Sequence, residues 1–270
     1  MGLWIADERQ GLLRSGCADA LCAQPQGLCL CGDAVVCACP REAQVFGAET
    51  GAAVAAYPLP PGVRCMCALP GALYCLSGEA DSVSLLCPLT GQLRLCAQAG
   101  CDPRDLTLSP CRRMLAAAGG AAGRLYLYDS QTLTLRRSIA LPGIVYAACF
   151  CASGLMALCA VESGDISACL YRVSARGVVS EHMRLPGLPG ALLALPGGGL
   201  LVGALGQLVQ LRPDLRVQRR FACGLPARLR LYPGCALCAD SLEGRLLRVP
   251  LREGSPQVLH TGEVADAVIT

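Results

Sequence analysis

Apolar positions along this chain fall into short runs separated by turn residues. The clearest stretch is 103–143, PRDLTLSPCRRMLAAAGGAAGRLYLYDSQTLTLRRSIALPG. It carries apolar runs at 106–108, 114–118, 125–128 and 133–139, with Ser109-Pro110, Gly119-Gly120, Asp129-Ser130 and Pro142-Gly143 between and after them. Gly, Pro, Asp and Ser favour the dihedrals of tight turns, so this alternation predicts a four-stranded antiparallel meander. Helix loses because the runs are short and no capped stretch with a 3.6-residue period exceeds about ten residues. One such sheet cannot bury both faces alone, which predicts several of them.

The pattern repeats. A turn recurs at Cys31-Gly32-Asp33, Leu69-Pro70-Gly71, Ser109-Pro110-Cys111, Ala152-Ser153-Gly154, Leu195-Pro196-Gly197 and Tyr232-Pro233-Gly234. At or just before each lies a triplet with an apolar centre, the centres being Leu30, Met66, Leu106, Phe150, Leu192 and Leu229. Successive centres are 36 to 44 residues apart, the length of one propeller blade of four strands. Pro/Gly connectors such as Pro60-Pro61-Gly62, Pro142-Gly143 and Pro186-Gly187 end the units.

Six units leave a fragment at each end. Residues 264–270 supply a lone first strand, with Ala267-Val268-Ile269 as a seventh triplet; residues 1–23 supply runs at 3–6, 11–13 and 20–23. Joined, they make a seventh blade and remove the open edge that would invite pairing with another chain. The expected fold is therefore all-β: one seven-bladed β-propeller domain over 1–270, its blades four-stranded and antiparallel. The expected blades are 264–270 with 1–23, then 24–62, 63–102, 103–143, 144–187, 188–224 and 225–263. A β-sandwich is the rival, but it needs neither a repeat near 40 residues nor complementary ends.

At Ser109-Pro110, Tyr126-Leu127-Tyr128-Asp129 and Thr132, and again over GEADSVSLLCPLTG at 78–91, the repeat resembles the YVTN type of lactonase-like seven-bladed propellers. It departs at Cys111, where that family favours Asp, and no unit keeps the Asn that often follows the second strand. The resemblance implies the fold and lactone hydrolysis by a His with acidic and Arg residues over the channel mouth. His182 and His260 both fall near fourth strands, which weighs against a channel base. Propellers host many unrelated activities, so the motif specifies function poorly.

Composition narrows the picture. Hydrophobic residues make up 53% and charged ones 16%, which allows a large core and argues against disorder. All 23 basic residues are Arg, and the net charge of +3 is too small to imply nucleic acid as partner. The first residues lack the basic and apolar regions of a signal peptide, and no window approaches a membrane-spanning length. Twenty cysteines without such a signal point to free thiols in a reducing cytoplasm rather than a disulfide scaffold.

The candidate site follows from strand alternation. First strands line a propeller's channel; if the apolar triplet centres pack between sheets, the flanking positions face the channel. These include Cys29, Cys31, Cys65, Cys67, Asp105, Thr107, Cys149, Cys151, Arg228 and Arg230. Thiols beside two arginines could bind a soft metal or react as thiolates; the plainer reading is cysteine used as a small hydrophobe. Acids gather at the turns between second and third strands (Asp7, Glu8, Glu42, Glu79, Asp81, Glu162, Asp165, Asp240, Glu243), a second surface that could attract cations or a partner. Cys235 and Cys238 have zinc-knuckle spacing without a second such pair. Arg212, Arg216, Arg219, Arg220, Arg228 and Arg230 cluster with little aromatic interleaving. No nucleophile elbow, Walker loop, dinucleotide fingerprint or zincin motif occurs.

Together these features predict a monomeric, cytoplasmic propeller that binds a small ligand or a protein partner at the channel or acidic rim, without catalysis. No cofactor is identified, and neither nucleic acid nor membrane is an expected partner. The alternative is a lactonase-like hydrolase, or a thiol- or metal-dependent activity in the channel.

Overall fold

The computed structural model describes residues 2–15 and 21–270; among these it has twenty-seven strands and no helix. The strands form seven antiparallel sheets. Their innermost strands are Gly27–Cys31, Val63–Leu69, Asp105–Leu108, Ile144–Cys151, Pro189–Ala194, Pro226–Tyr232 and Val264–Ile269. Each packs against the next, and Val264–Ile269 packs against Gly27–Cys31. That closes a circle. The protein is a seven-bladed β-propeller; blades are numbered here one to six from Gly27–Cys31, the last being the closing blade.

The two chain ends meet as expected. Val264–Ile269 pairs with Leu3–Asp7, placing Leu3 opposite Ile269 and Ile5 opposite Ala267, and Leu3–Asp7 pairs in turn with Gly11–Arg14. The run expected at 20–23 begins outside the described residues. Its described part reaches the sheet edge through two bonds, Leu21 N to Leu12 O and Leu12 N to Cys22 O, both 2.8 Å. The closing sheet thus has three described strands where the other six have four.

Second strands sit between neighbouring sheets and are buried on both faces, as in Leu200–Ala204 and Cys235–Asp240. They therefore read as unbroken apolar runs rather than alternating ones. Fourth strands form the outer wall and read mostly exposed, as in Leu93–Gln98 and Gln257–Thr261. In blade three the fourth strand begins at Leu135 rather than 133, because Leu133 is in the left-handed region at φ 50° and its N–H closes a turn onto Asp129 O.

The seventh triplet is displaced by one residue from its expected place. In blades three, five and six the apolar centre faces the preceding blade: Leu106 packs with blade two, Leu192 with blade four and Leu229 with blade five. In the closing blade Ala267 takes that position, against Leu237 and Ala239, while Val268 faces Leu28 of blade one. The triplet is Asp266-Ala267-Val268. Alternation decides this, because a one-residue slip exchanges the two faces of a strand.

Candidate functional site

A cavity of about 510 Å³ lies among the innermost strands. Five of the seven innermost strands line it, those of blades two to six. Its apolar wall includes Leu106, Leu108, Tyr146, Phe150, Leu192 and Leu193, and its polar groups are Arg64, Arg104, Asp105, Thr107, Arg228 and Arg230.

Bulges at the strand entrances aim several of these groups. Pairing between first and second strands slips between Val63 and Cys65, between Val145 and Ala147, and between Pro226 and Arg228. The residues skipped are Arg64, Tyr146 and Ala227, and all three border the cavity. A bulge leaves its extra residue unpaired and bends the strand, which turns that side chain away from the blade interface. In blade five the slip falls between Pro189 and Leu192. There Gly190 is required, since a Cβ would lie 2.3 Å from Pro226 O on the neighbouring strand.

Charged groups reach the cavity from blades two, three and six. Asp102 lies between two guanidiniums, 2.6 Å from Arg64 and 2.7 Å from Arg104. It holds a left-handed φ of 54°, and its N–H donates to Asp81 Oδ1. Arg104 is stacked over the Tyr146 ring at 4.2 Å, a contact that orients the guanidinium plane. Arg228 crosses the channel from blade six, and its Nη2 donates to the Arg64 carbonyl in blade two. It has no ion-pair partner among the described residues. Arg230 is committed: it bonds both Asp266 oxygens, at 2.6 and 3.1 Å, and donates to Leu28 O. Four guanidiniums (Arg64, Arg104, Arg228, Arg230) thus face three carboxylates (Asp102, Asp105, Asp266). The balance is positive.

Of the ten residues expected in the channel, Cys65, Asp105, Thr107, Cys149, Arg228 and Arg230 border this cavity. Cys29 and Cys31 instead pack between blades one and two, Cys67 between two and three, and Cys151 between four and five. The separation of centres facing sheets and flanks facing the channel does not hold. Both faces of an innermost strand meet neighbouring blades, and the cavity receives residues of either face. Leu30, expected between sheets, is 41% exposed.

Nor are the thiols activated by the arginines. Burial pushes Cys65 up to about 11, outweighing the opposing pull of Arg228 and Arg230. Burial likewise raises Cys67 and Cys149, and Cys29 is raised by hydrogen bonding with the Cys31 thiol and by burial. These four are neutral thiols at physiological pH.

Other expected features resolve into structure. Asp7 and Asp240 are fully buried, not solvated rim acids. Asp240 accepts N–H bonds from connector residues Gly224 and Leu225 and pairs with Arg245; Asp7 accepts from Arg9 and Gln10 and contacts His260 Nε2 at 2.9 Å. Asp240 ties its turn to the connector beside it, and Asp7 ties its turn to the fourth strand of blade six. His182 lies on an outer strand against Leu215 O, so neither histidine reaches the cavity. Arg219 stacks on Phe221 and donates to backbone carbonyls, while Arg220 bonds Gln207, which breaks up the arginine cluster. Cys235 and Cys238 are buried and, by alternation, point to opposite faces.

Sequence reasoning missed Arg64, Arg104 and Tyr146. Arg104 precedes a triplet flank and was legible from its position beside Asp105. Arg64 and Tyr146 sit at bulges, which carry no sequence mark.

Solved structures share this ring. A protein from Lactobacillus plantarum superposes with a TM-score of 0.75 at 13% identity, covering 99% of both chains. A candidate 6-phosphogluconolactonase from Bacteroides uniformis gives 0.70 at 11% identity, covering 99% of this chain and 98% of its own. Hydrazine synthase of Kuenenia stuttgartiensis gives 0.70 at 15% identity, over 84% of this chain and 76% of its own. At such identities the likeness is one of fold. No protein-family model matches the sequence, and no curated protein matches it.

Proposed function

We propose that the channel cavity is a non-catalytic binding site for a small organic anion, a carboxylate or phosphate ester carried on an apolar body. Arg228 carries this reading. It projects into a cavity bordered by leucines and aromatics, and among the described residues its one hydrogen bond is to a neutral carbonyl. Arg64 and Arg104 add two more guanidiniums from blades two and three, partly compensated by Asp102. A planar guanidinium presents paired donors matched to carboxylate and phosphate oxygens. The apolar wall would take the rest of the ligand, as in most small-molecule sites.

Catalysis has less support. The cavity's one carboxylate, Asp105, already accepts the Ala148 N–H at 3.0 Å, and no histidine borders it. The lactonase named among the structural neighbours keeps hydrolysis as an outcome to be checked, not as the favoured reading.

Calorimetry with benzoate and phenyl phosphate against benzyl alcohol tests the proposal. Both anions are expected to bind, more weakly as salt rises, and the neutral alcohol is not. Arg228→Met should weaken anion binding by roughly 10- to 100-fold, the loss of one charge-assisted pair. Equal binding of alcohol and anion would overturn the anion site, and turnover of 6-phosphogluconolactone abolished by Asp105→Asn would overturn the non-catalytic reading.

A further inference from the structure

Three thiols meet away from the channel, at the seam where the ring closes. Cys22 lies just past the closing sheet's edge, and its carbonyl accepts the Leu12 N–H. Cys37 lies on Ala34–Ala38, the second strand of blade one, and Cys39 comes just after that strand, two residues past Cys37. Residues two apart on an extended chain share a face, so Val35, Cys37 and Cys39 all turn toward the closing blade. There the Cys22 Sγ lies 3.6 Å from Cys37 Sγ and 3.9 Å from Cys39 Sγ, and all three sulfurs fall within 4.8 Å of one another.

These distances have a chemical meaning. A metal bound to sulfur at about 2.3 Å on each bond holds its sulfurs about 3.8–4.0 Å apart, in tetrahedral or trigonal geometry. A disulfide needs about 2.05 Å, and a third thiol adds nothing to it. The site is closed in by Trp4, Leu12, Leu28 and Phe46, and no His, Asp or Glu joins the cluster among the described residues. Zinc favours four ligands in a structural site. The three described sulfurs in an apolar pocket suit a soft ion of low coordination number.

We propose that Cys22, Cys37 and Cys39 form a three-thiol site for a soft monovalent ion of the Cu(I) class, which pins the closing blade to blade one. The thiol protons would leave to solvent as the sulfurs ligate, so uptake should strengthen as pH rises. The location gives the ion a structural task. The closing blade is the one with three described strands rather than four, and Cys22 belongs to the segment that bonds its free edge. An ion bridging that segment to blade one stabilises the folded ring by mass action. This site is independent of the anion cavity and stands or falls apart from it.

The test uses full-length protein, reduced and handled without oxygen, in which the exposed Cys96, Cys101 and Cys111 are replaced by Ser to remove surface thiols. Cu(I) is delivered in competition with bicinchoninate, and zinc is titrated separately against a chromophoric chelator. One equivalent of Cu(I) should bind, with sulfur-to-copper charge-transfer absorption and a rise in Tm. Cys22→Ser, Cys37→Ser and Cys39→Ser should each abolish that equivalent, while Cys65→Ser in the channel should retain it. Because Cys37 is fully buried, Cys22→Ser at the edge serves if Cys37→Ser fails to fold. Uptake unchanged in Cys22→Ser, zinc held more tightly than Cu(I), or a Cys22–Cys37 disulfide in the anaerobic protein would each overturn the assignment.

Discussion

Asp105 and Asp266 occupy the same position in two blades and have different lives. Each opens the triplet of an innermost strand, and each accepts an N–H from the strand of the next blade: Asp105 from Ala148 at 3.0 Å, Asp266 from Leu28 at 3.1 Å. What differs is the blade before. Blade six places Arg230 against Asp266, and the same arginine reaches Leu28 O, so three blades are tied at one point. Blade two places Cys67 at the position of Arg230, and Asp105 is left with the weak Cys65 Sγ donor at 3.7 Å. Asp266 is 1% exposed and Asp105 half-buried against the cavity. One register thus yields a latch on one side of the channel and an open polar wall on the other, according to the side chain the preceding blade supplies.

The contrast can be broken most forcefully at the latch. Arg230→Met strands the buried Asp266 carboxylate and should destabilise the ring by about 3 kcal/mol in urea unfolding; a change below about 1 kcal/mol would mean that the latch is not a tie between blades. A smaller effect is expected at Asp240, which clamps a connector rather than an innermost strand. Burial opposes its ionisation, but N–H bonds from Gly224, Leu225 and Glu243, together with Arg245, outweigh burial and hold its carboxyl below the usual range. Asp240→Ala should therefore cost about 2 kcal/mol at neutral pH, chiefly from buried N–H groups left unpaired. Since the folded pKa is depressed, the stabilisation from ionised Asp240 is full above the unfolded value near 4 and is lost as pH falls through the folded value. The gap between wild type and Asp240→Ala in urea midpoints should shrink below about pH 4. Least disturbing is Asp105→Asn. It should shift stability by less than about 1 kcal/mol while tightening benzoate by several-fold, up to roughly tenfold, because a like charge leaves the cavity wall. Weaker benzoate binding in that variant would assign Asp105 to ligand contact rather than repulsion.

Much of this molecule could be read from residue order. Short apolar runs with Gly/Pro/Asp/Ser turns named the strands, and the recurrence of triplets near 40 residues named the blades. The joining of both chain ends followed from their being complementary pieces of one unit. These features are local or periodic, and strand formation responds to local pattern. The seventh triplet was misplaced by one residue because Ala265, Ala267 and Val268 are all apolar and offer no alternation to read.

The site itself was decided by tertiary structure. Arg64 and Tyr146 reach the cavity because of bulges, which arise from how two strands fit and leave no trace in either alone. The Cys65 thiol stays neutral because burial outweighs two nearby arginines, a balance that depends on depth. Cys22, Cys37 and Cys39 were scattered in sequence and adjacent in space, since the first belongs to the blade that closes the ring and the others to the blade it closes upon. Periodic pattern fixes which blade a residue belongs to; the tilt, bulges and closure of the sheets fix what that residue meets.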